Sequence, residues 1–381
     1  MQFIDLKAQY EVLSDEINAN IQSVLNSGQY MMGDFVKQLE KELAEYVGTK
    51  YCVSCANGTD ALSLALMVWG IKEGDAVFVP SFTFYSTAEV VSLLGATPIF
   101  VDTDPRTFNI DVKKLEKAIQ QVEVEGILNP KVIIPVDLFG LPANYDEIIK
   151  IAQKHNLLVL EDAAQGFGGS INGRMAGSFG DISTTSFFPA KPLGCYGDGG
   201  AIFTDNKEYY DLLVSLRVHG KGTFKYDNVR VGMNSRLDTI QAGILLPKLH
   251  AFKDYELDKR NDFAKIYTEQ LKDFVTTPVV PEGMISSWAQ YTLILDSEEE
   301  RDALQTRLKE KGIPTMVYYP KPLHQQVVYQ DYKYNLDDLK ECERISKCVL
   351  SLPMHPYLTE EIVTDIVYHV KESIKEIRDD K

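Results

Sequence analysis

The sequence predicts an α/β protein: a seven-stranded, mostly parallel sheet covered on both faces, with a smaller α/β unit at the carboxyl end. Short apolar, β-rich runs alternate with amphipathic stretches up to about Leu246, the pattern made by parallel strands joined through crossover helices. Beyond Leu246 the texture turns charged and helix-rich. The residues with polar chemistry cluster where the apolar runs end, which is where open α/β sheets bind their ligands.

Each element follows in chain order. Lys7 to Ser27 reads as a helix that precedes the sheet. The strands are expected at Lys50 to Ser54, Ala76 to Pro80, Pro98 to Asp102, Lys131 to Asp137, Leu157 to Glu161, Ile182 to Phe188 and Gly200 to Thr204. Asn57-Gly58-Thr59-Asp60 follows the first strand and opens a helix from Ala61 to Trp69; Phe82-Thr83-Phe84 follows the second, and Asp162 ends the fifth. Asp254 to Leu271 and Glu298 to Lys311 read as helices of the second unit, with a weak boundary signal at Thr276-Thr277-Pro278. The division drawn is a large domain, 1–246, including the opening helix, and a small domain, 247–381.

Composition narrows the function classes. At 381 residues and 45% hydrophobic content the chain is long enough for two cores. No apolar run approaches the roughly 20 residues of a membrane helix. The opening Met1-Gln2-Phe3-Ile4-Asp5-Leu6-Lys7 lacks the features of a secretory signal, so a cytoplasmic location is expected. A net charge of −16 disfavours nucleic acid and anionic membranes as partners. It leaves room for an anionic substrate in a cleft lined by local basic residues. Five cysteines, an odd count, point to reduced thiols. Cys52 and Cys55 form a C-x-x-C, but no second pair supplies a zinc site, and they read as buried thiols. The six histidines show no metal-binding spacing, so no metal is expected.

The chemistry concentrates in two places. Ser186-Phe187-Phe188-Pro189-Ala190-Lys191-Pro192-Leu193-Gly194, followed by Asp198-Gly199-Gly200, sets one lysine on a sterically controlled turn between apolar strands. Asp162 closes the buried strand that begins at Leu157. A lysine amine and a strand-end aspartate are what pyridoxal phosphate requires. The amine forms a Schiff base with the aldehyde, and the carboxylate keeps the pyridine nitrogen protonated so that the ring accepts electrons. Gly58 and Thr59 sit where free N–H groups and the positive end of a helix dipole offer an anion site; an ordinary N-cap by Asn57 or Thr59 would give the same local sequence. Ser186 is positioned to give a second phosphate donor. Phe84 reads either as a ring that stacks on the pyridine or as a core aromatic.

With these residues in hand, the chain resembles the DegT/DnrJ/EryC1/StrS sugar aminotransferases, fold-type I pyridoxal phosphate enzymes with an aspartate aminotransferase-like architecture. The resemblance runs from Phe3-Ile4-Asp5-Leu6 through Asn57 to Leu62, Glu161 to Gln165 and the Lys191 turn, to Asn234-Ser235-Arg236-Leu237-Asp238 and Tyr319-Pro320-Lys321-Pro322-Leu323-His324. Within the family, Ser186 to Gly200 and Ser351-Leu352-Pro353-Met354-His355-Pro356 look most like enzymes that aminate UDP-2-acetamido-2-deoxy-3-oxo-glucuronate. The resemblance implies that Lys191 carries the cofactor and moves the proton, that Asp162 pairs with the ring nitrogen, and that Gln165 contacts the ring hydroxyl side. It implies that Gly58, Thr59 and Ser186 bind phosphate, that Phe84 stacks on the ring, and that Asn234 reaches the phosphate from a partner subunit of a homodimer with shared active sites. Tyr318, Tyr319 and His324 are further expected substrate contacts, and Arg236 reads either as a guanidinium that grips an anionic group of the substrate or as a structural salt bridge with Asp238. L-glutamate is the implied amino donor and a nucleotide-linked keto sugar the acceptor, for cell-surface polysaccharide or lipopolysaccharide synthesis.

Tyr318 stands where the 3-oxo-glucuronate enzymes commonly have histidine, which keeps a neutral 3- or 4-keto sugar linked to UDP or dTDP in play. Relatives that deoxygenate sugars carry histidine in place of the lysine, and Lys191 disfavours that chemistry. A fold-type I enzyme acting on keto acids and a non-catalytic regulator on the same fold are the remaining alternatives.

Overall fold

The computed structural model describes residues 1–224, 226–330 and 339–379. Its centre is a seven-stranded sheet made of β1 (Tyr51–Cys55), β2 (Asp75–Pro80), β3 (Thr97–Val101), β4 (Asn129–Ile133), β5 (Leu158–Asp162), β6 (Ile182–Ser186) and β7 (Gly200–Thr204). The order across the sheet is β1-β7-β6-β5-β4-β2-β3, with β7 antiparallel to both its neighbours and the other pairings parallel. Both faces are covered, as the continuous apolar runs require. In β2, Val77 and Val79 join one buried cluster with α3 (Gly58–Val68), while Ala76 and Phe78 join another with α5 (Val112–Glu125) and α6 (Tyr145–His155). That is the two-residue alternation of a strand buried on both sides.

The expected strands all form, with ends shifted by a few residues. The largest shift is at β4, which stops at Ile133 two residues before Pro135. Proline has no N–H to donate to a ladder. The opening helix α1 (Leu6–Ser27) starts at Asp5, whose carboxylate accepts the Ala8 N–H at 2.9 Å.

A second core lies in the carboxyl-terminal part. Strands β8 (Tyr291–Ile294) and β9 (Val349–Leu352) pair antiparallel. They bury Tyr291, Leu293, Leu350 and Leu352 against helices Leu257–Leu271, Glu298–Glu310 and Glu360–Asp379. Position 246/247 falls inside a helix, Thr239–Ala251, which runs through a π turn at Phe252–Glu256 directly into Leu257–Leu271. Leu245, Leu246, Leu249 and Phe252 share one cluster with Val36 and Leu39. The composition shift there marks a change of partner surface and not a break in the chain.

Among the described residues no helix is long and apolar enough to cross a membrane. All five cysteines are free and buried, Cys52 and Cys55 along β1.

Candidate active site

The carboxyl ends of β1, β2, β5 and β6 open into one cleft of about 610 Å³. Lys191, Asp162, Gly58, Thr59, Ser186, Phe84, Gln165, Tyr318 and Tyr319 all line it.

Asp162 is the last residue of β5 and is 6% exposed. Strand alternation decides which of two adjacent carboxylates serves the cleft. Glu161 turns away and is consumed by the N–H groups of Gly177 and Phe179 and the Ser183 hydroxyl, at 2.6, 2.7 and 2.7 Å. Asp162 faces the opening, where it accepts from the Ala164 N–H at 3.2 Å and the Thr87 hydroxyl at 3.3 Å. Burial pushes its carboxyl above the usual range, while the Ala164 N–H, the Lys191 charge and the Thr87 hydroxyl pull it back. Burial lowers the Lys191 amine in turn, and Asp162 opposes that shift. The amine sits on a turn closed by the Lys191 N–H to the Phe188 carbonyl, 2.8 Å.

The phosphate end is built on α3. Asn57 caps this helix by accepting the Asp60 N–H at 2.7 Å, and its carbonyl takes the Ala61 N–H at 3.1 Å. Gly58 and Thr59 are the first-turn residues left facing the cleft, so the capping and anion-site readings hold together. Gly58 is required by contact: a Cβ there would lie 2.7 Å from Ser186 Cβ and 3.1 Å from Ser186 Oγ. Its missing side chain brings β6 against the helix start. Thr59 Oγ1 lies 2.7 Å from Ser86 Oγ.

The wall opposite is aromatic. Phe84 is half exposed, with its ring centre 6.3 Å from that of Tyr319. The Gln165 amide is held at both ends: its Oε1 accepts the Phe139 N–H at 2.8 Å, and its Nε2 donates to the Tyr319 hydroxyl at 3.1 Å. Burial raises the Tyr319 phenol well above its ordinary value, keeping it protonated.

Three expected site residues are not brought into this cleft. His324 is buried with both ring nitrogens engaged, Nδ1 with Ser81 Oγ at 2.7 Å and Nε2 with Glu343 Oε1 at 3.0 Å. It fastens its segment to the end of β2, outside the cleft lining. Asn234 and Arg236 line a neighbouring depression of about 530 Å³ that touches the cleft through Asp198. There Arg236 donates to Asn234 Oδ1 at 2.6 Å, and its buried Nε has no partner among the described residues. Thr87, Ser86 and Gln290 are site residues the sequence reading missed. The hydroxyl-rich Thr83-Phe84-Tyr85-Ser86-Thr87 run after β2 was a usable signal for the first two; Gln290 arrives from the second core and has no local signature.

The donor set fits pyridoxal phosphate: first-turn N–H groups and hydroxyls for a phosphate, a buried carboxylate for a ring nitrogen, and a lysine for an aldehyde. The comparisons with known proteins decide the family. The model of the DegT/DnrJ/EryC1/StrS aminotransferase family matches residues 11–371. The chain belongs to this family. This aminotransferase-family chain is 47% identical to the UDP-2-acetamido-2-deoxy-3-oxo-D-glucuronate aminotransferase of Pseudomonas aeruginosa, over 94% of this chain and 96% of that one. It is 41% identical to a pleiotropic regulatory protein of Geobacillus stearothermophilus, over 97% of each. The structure of a family aminotransferase from Brucella abortus matches with a TM-score of 0.95 and 50% identity, covering 98% of this chain and 99% of that one. A Bacillus subtilis protein solved with bound cofactor PMP matches at 0.88 and 30% identity, covering 98% and 85%. The fold-type I architecture and the pyridoxal phosphate dependence of this aminotransferase family follow.

Proposed function

We propose that this protein moves an amino group from L-glutamate to the keto carbon of a UDP-linked 3-oxo-2-acetamido sugar, a uronate by preference, in the cytoplasm. The observation that carries the reading is the single cleft holding Lys191, Asp162 and the α3 cradle, in a chain 47% identical to a 3-oxo-glucuronate aminotransferase.

When bound, pyridoxal phosphate supplies an aldehyde that ferries the amino group between two substrates and a ring that stores the electrons of the C–H bond broken on the way. The chain's own groups do the rest. Gly58, Thr59 and Ser186 would hold the phosphate, and Asp162, fixed by Thr87 and Ala164, would hold a proton on the ring nitrogen. Phe84 would stack on the ring, and Gln165 would contact the ring hydroxyl side. Lys191 would take the proton from the donor's α carbon as base and, in the second half of the reaction, deliver one as acid to the sugar carbon that receives the nitrogen; burial lowers its amine toward the range in which one group serves both ways.

The sugar reading rests on charge. Among the described residues, Asp60, Asp162 and Asp198 line the cleft together with one cation, Lys191. A nucleoside diphosphate and a uronate therefore need positive charge from elsewhere. Arg236, with an unpartnered Nε, fits that need if the neighbouring depression faces the cleft of a second subunit, and Asn234 beside it would then reach the phosphate. Such a homodimer shares its active sites. In this reading the large domain, 1–246, and the small domain, 247–381, are joined through the continuous helix at residues 239–271.

The test is substrate choice. Arg236→Ala is expected to raise KM for the 3-oxo-uronate nucleotide about tenfold and to leave the neutral 3-oxo sugar and the glutamate half-reaction nearly unchanged. Equal losses on both sugars would remove Arg236 from carboxylate recognition, and faster parent turnover of the neutral sugar would replace the uronate.

A further inference from the structure

The turn that carries Lys191 is gripped from behind by one helix, and the grip uses a buried lysine that no hydrogen bond explains. Phe187 and Cys195 close the turn: the Cys195 N–H donates to the Phe187 carbonyl at 2.8 Å, and Gly194 approaches so closely that a Cβ would lie 2.5 Å from the Pro189 carbonyl oxygen. The chain leaves this closure through Tyr196. Gln241, on the helix Thr239–Ala251, clamps the Tyr196 backbone at both ends: its Oε1 accepts the N–H at 2.9 Å and its Nε2 donates to the carbonyl at 3.3 Å. Lys248 lies two turns further along the same helix face. It is 1% exposed, its Nζ has no hydrogen-bond partner among the described residues, and the amine stands 4.7 Å from the centre of the Tyr196 ring.

A lysine is an expensive way to fill that space. An ammonium buried without a hydrogen-bonded partner loses its solvation, and an apolar side chain of similar length would pack there at lower cost. The surroundings are charged on several sides. Glu256 and Cys195 favour the protonated amine, Arg260 disfavours it, and burial brings its pKa down to about 8. Glu256 in turn accepts Gln9 of α1 at 2.8 Å and the Tyr357 hydroxyl at 2.6 Å. The Tyr10 ring contacts Tyr196 edge-on at 6.2 Å. Lys248 reaches the turn through the ring of Tyr196, beside Cys195.

We propose that Lys248 is a positioning residue: its ammonium holds the face of Tyr196 and thereby fixes the exit of the Lys191 turn, setting where the Lys191 amine stands in the cleft. This rests on the reading of Lys191 as the cofactor-bearing residue, so the first measurement uses cofactor-free protein and stands or falls without that reading. Amide hydrogen exchange over residues 187–197 is expected to quicken about tenfold in Lys248→Met and to stay near the parent in Lys248→Arg, about tenfold being what a cation–π contact of roughly 1.4 kcal/mol converts to. In cofactor-loaded protein, Lys248→Met is expected to lower kcat by a similar factor with KM for the sugar unchanged, and Lys248→Arg to restore most of it. Tyr196→Leu should reproduce the Lys248→Met loss, and the double variant should be no worse than either single one.

Exchange and turnover of Lys248→Met within twofold of the parent would overturn the proposal. So would an arginine variant as impaired as the methionine one, or additive losses in the double variant. Normal exchange changes with no turnover at all in the parent would instead count against the function assigned to Lys191 and leave the grip standing.

Discussion

Two carboxylates in succession, Glu161 and Asp162, show how a residue's task is set by which side of a strand it occupies. Glu161 is spent on three internal donors, whereas Asp162 keeps an oxygen toward the cleft. Asp162→Asn is therefore expected to cut turnover about 10²-fold while cofactor retention changes little, the loss of one preorganised charge at the reacting group. Ser186→Ala should do the reverse, weakening retention about tenfold with a smaller effect on kcat. Rates and cofactor titrations of the two variants check the division; identical behaviour in both assays would erase it. Lys248 offers a pH signature. Burial lowers its pKa from 10.5 to about 8, so the stability linked to this group is present above the unfolded value and is lost as pH falls through about 8. Lys248→Met is then expected to melt higher than the parent near pH 7, with the gap closing as pH rises from about 8 to about 10.5. Thermal melts across that range read it directly, and a constant gap would mean that folding does not lower the pKa of the amine.

At the scale of elements, the cleft exists because α3 starts against β6. Gly58→Ala places a methyl 2.7 Å from Ser186 Cβ. It is expected to cost about 1–3 kcal/mol of stability and to weaken cofactor binding, as overpacking does, and a calorimetric melt with a binding titration will show both or neither. Here the sequence was most readable. Apolar runs of strand length ending in Asp162, Ser186 and the Asn57-Gly58-Thr59 cap announce both the elements and their ligand-facing ends, because strand burial and helix capping are local effects. What stayed hidden was tertiary. His324 looked like a site residue by its place in a Tyr-Pro-rich segment, yet its ring is bonded to Ser81 and Glu343 from distant parts of the chain. The composition shift at 246/247 falls inside a helix that changes packing partner partway, which leaves a change of texture without a turn. Thr87 was missed because a hydroxyl on a helix start reads as helix chemistry until the fold brings Asp162 to it.

At the scale of the whole molecule, the cleft of one chain is short of positive charge, and the residues proposed to complete it face outward in a neighbouring depression. Mixing Lys191→Ala subunits with Asn234→Ala subunits is expected to recover about a quarter of parental activity from two nearly inactive preparations, since half of a random set of dimers would carry one intact site of two. No recovery would place Asn234 outside the partner's site. The central claim is amino transfer to a nucleotide-linked keto sugar through Lys191. The most direct measurement incubates the cofactor-loaded protein with ¹⁵N-labelled L-glutamate and UDP-linked 3-oxo sugars, and follows the label by mass spectrometry. Expected are ¹⁵N on the sugar carbon that carried the ketone, 2-oxoglutarate in equal amount, and neither product from Lys191→Ala; label found only on small keto acids, or transfer undiminished in Lys191→Ala, would overturn amino transfer to the sugar through Lys191.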